Sequence, residues 1–166
     1  MDTLLGLRTW KWRATDWTAA AVSGFAAGAL LMVLDLVWSA NFNPHGPWRT
    51  SHMIAPIFTG TDPTTSGYEF SVSVVAIALA IHYVLGIVFG LVMAAILVQL
   101  KLDSTPRPAM VAGAIMGIVL YLINFDFMAA VFFPWLAVMR GWDTLLAHVV
   151  FGIVAAVLYC RLKRTA

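Results

Sequence analysis

The sequence predicts an all-α polytopic membrane protein: four transmembrane helices built as two tandem two-helix repeats, plus an interfacial N-terminal segment. Three observations carry this. Of the 166 residues, 61% are hydrophobic and 11% charged, against about 45–50% and 25% in a soluble domain. Four stretches, 18–40, 72–100, 109–133 and 144–162, reach or nearly reach the roughly 20 apolar residues that a spanning helix needs. The two halves also carry the same marks in the same order. Val22-Ser23-Gly24 with Gly28 recurs as Val111-Ala112-Gly113 with Gly117, and Asp35 recurs as Asn124. Pro47-Trp48 recurs as Pro134-Trp135, and His82 with Gly86 as His148 with Gly152.

Residues 1–17 hold Leu4, Leu5, Leu7, Trp10 and Trp12 among Arg8, Lys11 and Arg13, with no long apolar run before Thr18. That pattern excludes a cleavable signal and reads as a segment lying on the membrane, tryptophans at headgroup depth and basic groups in water. Residues 18–107 form the first helix pair, with a long outer loop at 41–71. Within that loop, proline before tryptophan predicts the start of a short helix. Met53, Ile54, Ile57 and Phe58 could lay one apolar face on the bilayer surface, and Pro56 limits its length. The stretch 59–71, rich in Gly, Asp, Pro, Thr and Ser, is exposed loop. Residues 108–166 form the second pair, whose outer loop at 134–140 is long enough only to cap the bundle. Its last span is short, with Trp142 and Tyr159 to anchor the ends.

Two helices per unit give both copies one orientation, related by an axis near the membrane normal. Gly24 with Gly28, Gly86 with Gly90, and Gly113 with Gly117 are spaced to let helices approach closely. Arg8, Lys11, Arg13, Lys101, Arg107, Arg161, Lys163 and Arg164 fall on one side of this layout, Arg49 and Arg140 on the other. The excess predicts a bacterial inner membrane location with both termini cytoplasmic and loop 41–71 outside. Membrane anchoring accounts for the net charge of +2, so no nucleic-acid partner is implied. The single cysteine, Cys160, cannot form an internal disulfide and reads as ordinary helix surface.

At 100° per residue, Gly24, Gly28, Leu31 and Asp35 share one face, and Gly113, Gly117, Leu120 and Asn124 the corresponding one. His82, Gly86 and Met93 line one face of the second span; His148, Gly152, Ala155 and Tyr159 line one of the fourth. If glycine faces are contact faces, Asp35, Asn124, His82 and His148 point into the bundle. A carboxylate at membrane depth is costly and calls for a partner or a purpose.

Three readings of these groups stand open. In the first they are a structural polar core, Asp35 taking a hydrogen bond from one histidine and Asn124 bonding the other. In the second, His82 and His148 are axial ligands of a non-covalent haem b, or hold a metal, as bundle cores build sites from facing side chains. Arg49 and Arg140 would then meet propionates, and Asp35 and Asn124 would orient the ring nitrogens. In the third, Asp35, the histidines and Asp126 relay protons or ions. Asp126 lies about 140° from the Gly113 face, which points it toward another subunit or the headgroups. His45 and His52 read as solvated loop histidines.

Arg49 followed by Met53-Ile54-Ala55, the alanine-rich run into His82, Asn124-Phe125, Phe133-Pro134-Trp135 and His148 with Gly152 resemble a family of small bacterial four-helix inner-membrane proteins of unknown function. Some of its members carry a sodium:proline symporter label. The resemblance covers roughly residues 22–162 and implies the fold without supplying catalytic residues. Symport of that kind is built from inverted repeats with broken helices at a midplane site, and this chain is far shorter. No enzyme signature is present. The expectation is a non-catalytic membrane subunit or accessory protein of a larger complex, respiratory or otherwise redox, whose partners are the lipid bilayer and other membrane subunits or further copies of itself. The haem b electron carrier and the small proton or ion conductor are the alternatives.

Overall fold

The computed structural model describes residues 12–63 and 67–164. The expected interfacial segment falls mostly on residues 1–11, outside the described residues. Helix α1 (Trp17–Phe42) starts at Asp16, whose carboxylate Oδ1 accepts from the Ala19 N–H at 3.0 Å and so satisfies one of the free amides of the first turn. Short helices α2 (Arg49–Ile54) and α3 (Pro56–Thr59) follow, divided at Pro56, which has no N–H to continue the first. Gly60, at φ 67°, ends α3 in the left-handed region.

Helix α4 (Val72–Gln99) ends in a tight reversal. The Leu102 N–H bonds Leu97 O at 2.8 Å and the Lys101 N–H bonds Val98 O at 3.2 Å. This nested pair closes the last carbonyls around a left-handed residue, and that residue is Lys101, at φ 58°. Helix α5 (Pro106–Leu122) opens on proline and runs into a π-helical turn, Ile123–Phe127, before α6 (Met128–Val131). A 3₁₀ turn, Pro134–Met139, leads to α7 (Trp142–Leu162). Four spans, Trp17–Phe42, Val72–Gln99, Pro106–Val131 and Trp142–Leu162, are long and apolar enough to cross a membrane. The chain is an all-helical protein of membrane-spanning type.

Small residues decide how the long helices pair. A Cβ on Gly24 would collide with the Gly86 carbonyl oxygen and stand 2.9 Å from Gly90 Cα, so α1 and α4 touch backbone to backbone. Gly113 and Gly117 face the main chain of Gly152 and His148 in the same manner, which joins α5 to α7. Such approach maximises dispersion contacts where lipid gives no hydrophobic drive to associate. The two pairs meet chiefly along α1 and α7, while α4 and α5 touch little.

The tightest packing lies toward the end that carries Asp16 and Arg164. Ala20, Leu97, Ala109, Ala156 and Tyr159 are buried there. Asp103 holds that end together: at 4% exposure it pairs with Arg13 at 3.2 Å and with the Lys163 ammonium. Burial raises the Asp103 carboxyl, but the hydrogen bond and charge of Lys163, its local backbone N–H and the Arg13 charge outweigh this and hold it below the usual carboxylate range. Gln99 brackets the Arg13 backbone from both sides, and Asp16 takes the Arg164 N–H at 3.0 Å.

The opposite end, called here the loop end, is roofed by the connecting segments. The face of α2 expected on the bilayer surface is corrected in part. Met53 is 1% exposed, turned inward as α2 packs on α4 and Trp135 Nε1–H donates to Met53 O at 3.1 Å. Phe58, at 79% exposure, does face outward. Arg49 adds a second tie across the roof, donating to Val138 O at 3.2 Å.

Candidate functional site

Between the packed terminal half and the roof the helices border a chamber of about 650 Å³, open on the flank where Val37, Trp142 and Leu146 are exposed. Asp35, His82, Asn124 and His148 all line it, joined by Thr50, Asp143 and Thr144. The remaining lining is apolar and aromatic, Phe125, Phe133 and Phe151 among it. A volume of this size, mostly apolar with a few polar groups, is what small-molecule sites present.

Each polar side chain is placed by its helix. His148 sits one turn after Thr144 on α7, so its Nδ1 meets Thr144 O at 2.8 Å. A carbonyl only accepts, so Nδ1 carries the proton and Nε2 a lone pair. Asn124 Nδ2–H donates to that lone pair at 3.4 Å. Asn124 is brought there on the π turn, whose wider winding re-aims every side chain after Leu122. The Phe125 and Tyr121 rings stand edge-on to His148 at 5.4 and 6.1 Å between centroids.

On the other pair, His82 Nε2–H donates to Gly28 O at 3.2 Å. A Cβ at Gly28 would meet the His82 Cδ2 at 3.7 Å, an ordinary contact, so the ring lies against this face of α1. The expectation that a histidine donates to Asp35 is corrected. Each neutral imidazole has one N–H, and both are committed to main-chain carbonyls. Asp35 accepts instead from the Thr50 hydroxyl at 3.2 Å, a donor supplied by α2 in the roof.

The two arginines expected near the site do not line it. Arg140 Nε–H donates to Phe125 O at 2.6 Å and pairs with Asp126 at 3.2 Å, both partners on the π turn. Asp126 is therefore an exposed ion-pair partner and lies outside the chamber. Arg49 is directed to Val138, with its buried Nε lacking a partner. Neither His45 nor His52 reaches the chamber. Both flank the Tyr68 ring, at 5.4 and 5.8 Å, and His52 Nε2–H donates to Glu69 O at 3.0 Å. Burial holds the His52 imidazole below its usual range. Cys160 is half-buried against the packed half.

Among the described residues, no group of three or more His, Cys, Asp or Glu side chains is placed to hold a metal ion. Thr50, Thr144 and Asp143 are the site residues that sequence reasoning missed. Thr144 was within reach, because a threonine one turn before an intramembrane histidine is a ready source of a carbonyl. Thr50 was not, because a loop residue gives no sign of the depth to which it folds back. No known family, curated protein or solved structure matches the chain. The resemblance to small bacterial inner-membrane proteins therefore rests on the quoted motifs alone.

Proposed function

We propose that this chain is a non-catalytic membrane protein that holds a lipid-soluble small molecule in its loop-end chamber. The observation that carries the reading is the chamber itself: about 650 Å³ of space where the other half of the bundle is close-packed. Apolar and aromatic walls would take the body of the ligand, and the few polar groups would fix its orientation. The chamber's open flank at Val37, Trp142 and Leu146 gives a guest a way in from the side.

Within this reading the chain is an accessory subunit in a larger membrane complex of the bacterial inner membrane, a respiratory or other redox assembly being the setting. Its termini lie in the cytoplasm and loop 41–71 outside, supported by the eight basic residues on one side against two on the other. The paired helices descend from a duplication; the support is the repeated order of marks and the like use of Gly24 and Gly113 at the two helix contacts.

The haem b reading has one observation in its favour, the Nε2 lone pair that His148 keeps toward the chamber. Both axial bonds would require His82 to release Gly28 O and Asn124 to release His148. The proton-relay reading has Asp35 and both histidines on one chamber, but the packed half offers no continuation of the route beyond them. Chamber binding needs no such change.

The test is to purify the full chain in mild detergent, extract it, and identify what co-purifies by mass spectrometry. One lipophilic compound near equimolar with protein is expected. It should be lost from a helical, monodisperse Ala147→Phe variant, in which the ring fills the chamber. Recovery of bulk lipid alone, unchanged in that variant, would refute the assignment, and an absorbance spectrum of the same sample reads the haem alternative directly.

A further inference from the structure

We infer that the chamber's occupant is an organic cation: a positive charge on an apolar body, held by Asp35, with Asp143 at the mouth. The inference rests on the chamber-binding reading and adds the charge of the ligand to it. Its warrant is the inventory of polar groups. The lining contains two carboxylates, those of Asp35 and Asp143, and no lysine or arginine. The two basic side chains of the loop end are turned elsewhere, Arg49 to Val138 O and Arg140 to Asp126 and Phe125 O.

The hydroxyl and imidazole donors of the lining, and one amide N–H of Asn124, are already engaged. The Thr144 hydroxyl donates to Met139 O at 2.8 Å, the Thr50 hydroxyl to Asp35, the Asn124 amide to His148, and both imidazole N–H groups to carbonyls. What the lining adds in charge is therefore acidic alone, two carboxylates beside the neutral indole N–H groups of Trp38 and Trp142. An anion would meet two carboxylates and no basic side chain to receive it. A neutral apolar body would seal Asp35 away from water with one hydroxyl for company.

Asp35 lies seven residues before the end of α1, about 10 Å below it at 1.5 Å per residue. A carboxylate at that depth calls for a counter-charge, and the described residues supply none to it. Asp143 lines the same chamber, so the site gathers a second acid and no base. Trp38, Trp142, Phe125 and Phe151 add ring faces to the lining. Such faces attract cations and are indifferent or averse to anions. Two acids among aromatic walls select a charge-bearing, greasy guest of positive sign.

Tetraphenylphosphonium and tetraphenylborate are near-identical in size and shape and opposite in charge, and tetraphenylsilane is their neutral counterpart. Equilibrium binding of each to the full chain in nanodiscs of neutral lipid tests the inference. One phosphonium per chain is expected, with the borate failing to compete. Asp35→Asn should weaken phosphonium binding about tenfold or more, as loss of a desolvated charge partner does. Asp143→Asn, at an exposed position, should weaken it less while leaving the fold untouched, so a folding defect in the first variant does not remove the test. If all three probes bind alike, are indifferent to both substitutions and are displaced by Ala147→Phe, the chamber reading stands and the cation inference falls. If no probe binds in a manner sensitive to Ala147→Phe, both fall together.

Discussion

Gly24 and Gly28 are one turn apart on the same face of α1, and the structure assigns them opposite tolerances. Alanine at 24 would drive its methyl into the Gly86 carbonyl oxygen, with Gly90 Cα 2.9 Å away. Both obstacles are backbone, so relief requires α1 and α4 to separate along their closest line. Overpacking of this kind costs about 1–3 kcal/mol, and separation also forfeits dispersion contacts along the pair. Alanine at 28 meets nothing closer than His82 Cδ2 at 3.7 Å, an ordinary contact with a side chain. There the removal of glycine's helix penalty, about 0.8–1.0 kcal/mol on aqueous scales, should leave stability equal or slightly raised. The assay is reversible unfolding in mixed micelles followed by helical circular dichroism, with wild type, Gly24→Ala and Gly28→Ala side by side. A gap of about 2 kcal/mol or more between the variants is expected. Equal effects at the two positions would show that α1 and α4 do not meet at Gly24, and would undo the account of the whole α1–α4 pair.

Two further outcomes follow from the ends of the helices. Asp103→Asn should destabilise by about 2 kcal/mol, below the range for fully buried pairs because Arg13 is half-exposed. Because the folded Asp103 carboxyl titrates below its unfolded value, near 3.9, its contribution is fully present above that value. It disappears as pH falls through the lower folded one. Acid titration of stability should therefore be flatter in the variant, and an identical profile would remove Asp103 from its role. Lys101→Gly should stabilise by about 1 kcal/mol, since a left-handed residue with a Cβ carries a penalty of roughly that size. A loss measured by the same unfolding assay would show that the Lys101 side chain matters more than its backbone.

The spans were legible in the sequence because a bilayer demands length and greasiness, and both are composition. The predicted limits 72–100 and 144–162 lie within two residues of α4 and α7. Glycine spacing likewise announced the contact faces, since only glycine lets two backbones touch. The π turn was not legible: Ile123–Phe127 has no local residue pattern that distinguishes it from ordinary helix. That is why straight angular counting could not place Asp126 beside Arg140. The partner of Asp35 was hidden for a different reason. Thr50 reaches it by chain reversal through residues 43–48, a tertiary event that periodicity does not encode. Asp16 and Asp103 could have been found. The first precedes an apolar run as helix caps do, and the second is the lone acid between Lys101 and Arg107.

The Trp38 and Trp142 rings meet edge to face at 5.6 Å, beside the chamber and on its flank between α1 and α7. The chamber's exposed lining residues Val37, Trp142 and Leu146 lie on this flank, so under the proposed binding a guest would enter from the lipid side. A guest arriving sideways must first dissolve among the acyl chains, so its effective concentration is the one in lipid. Ranking compounds by aqueous dose would then order them by oil solubility rather than by fit.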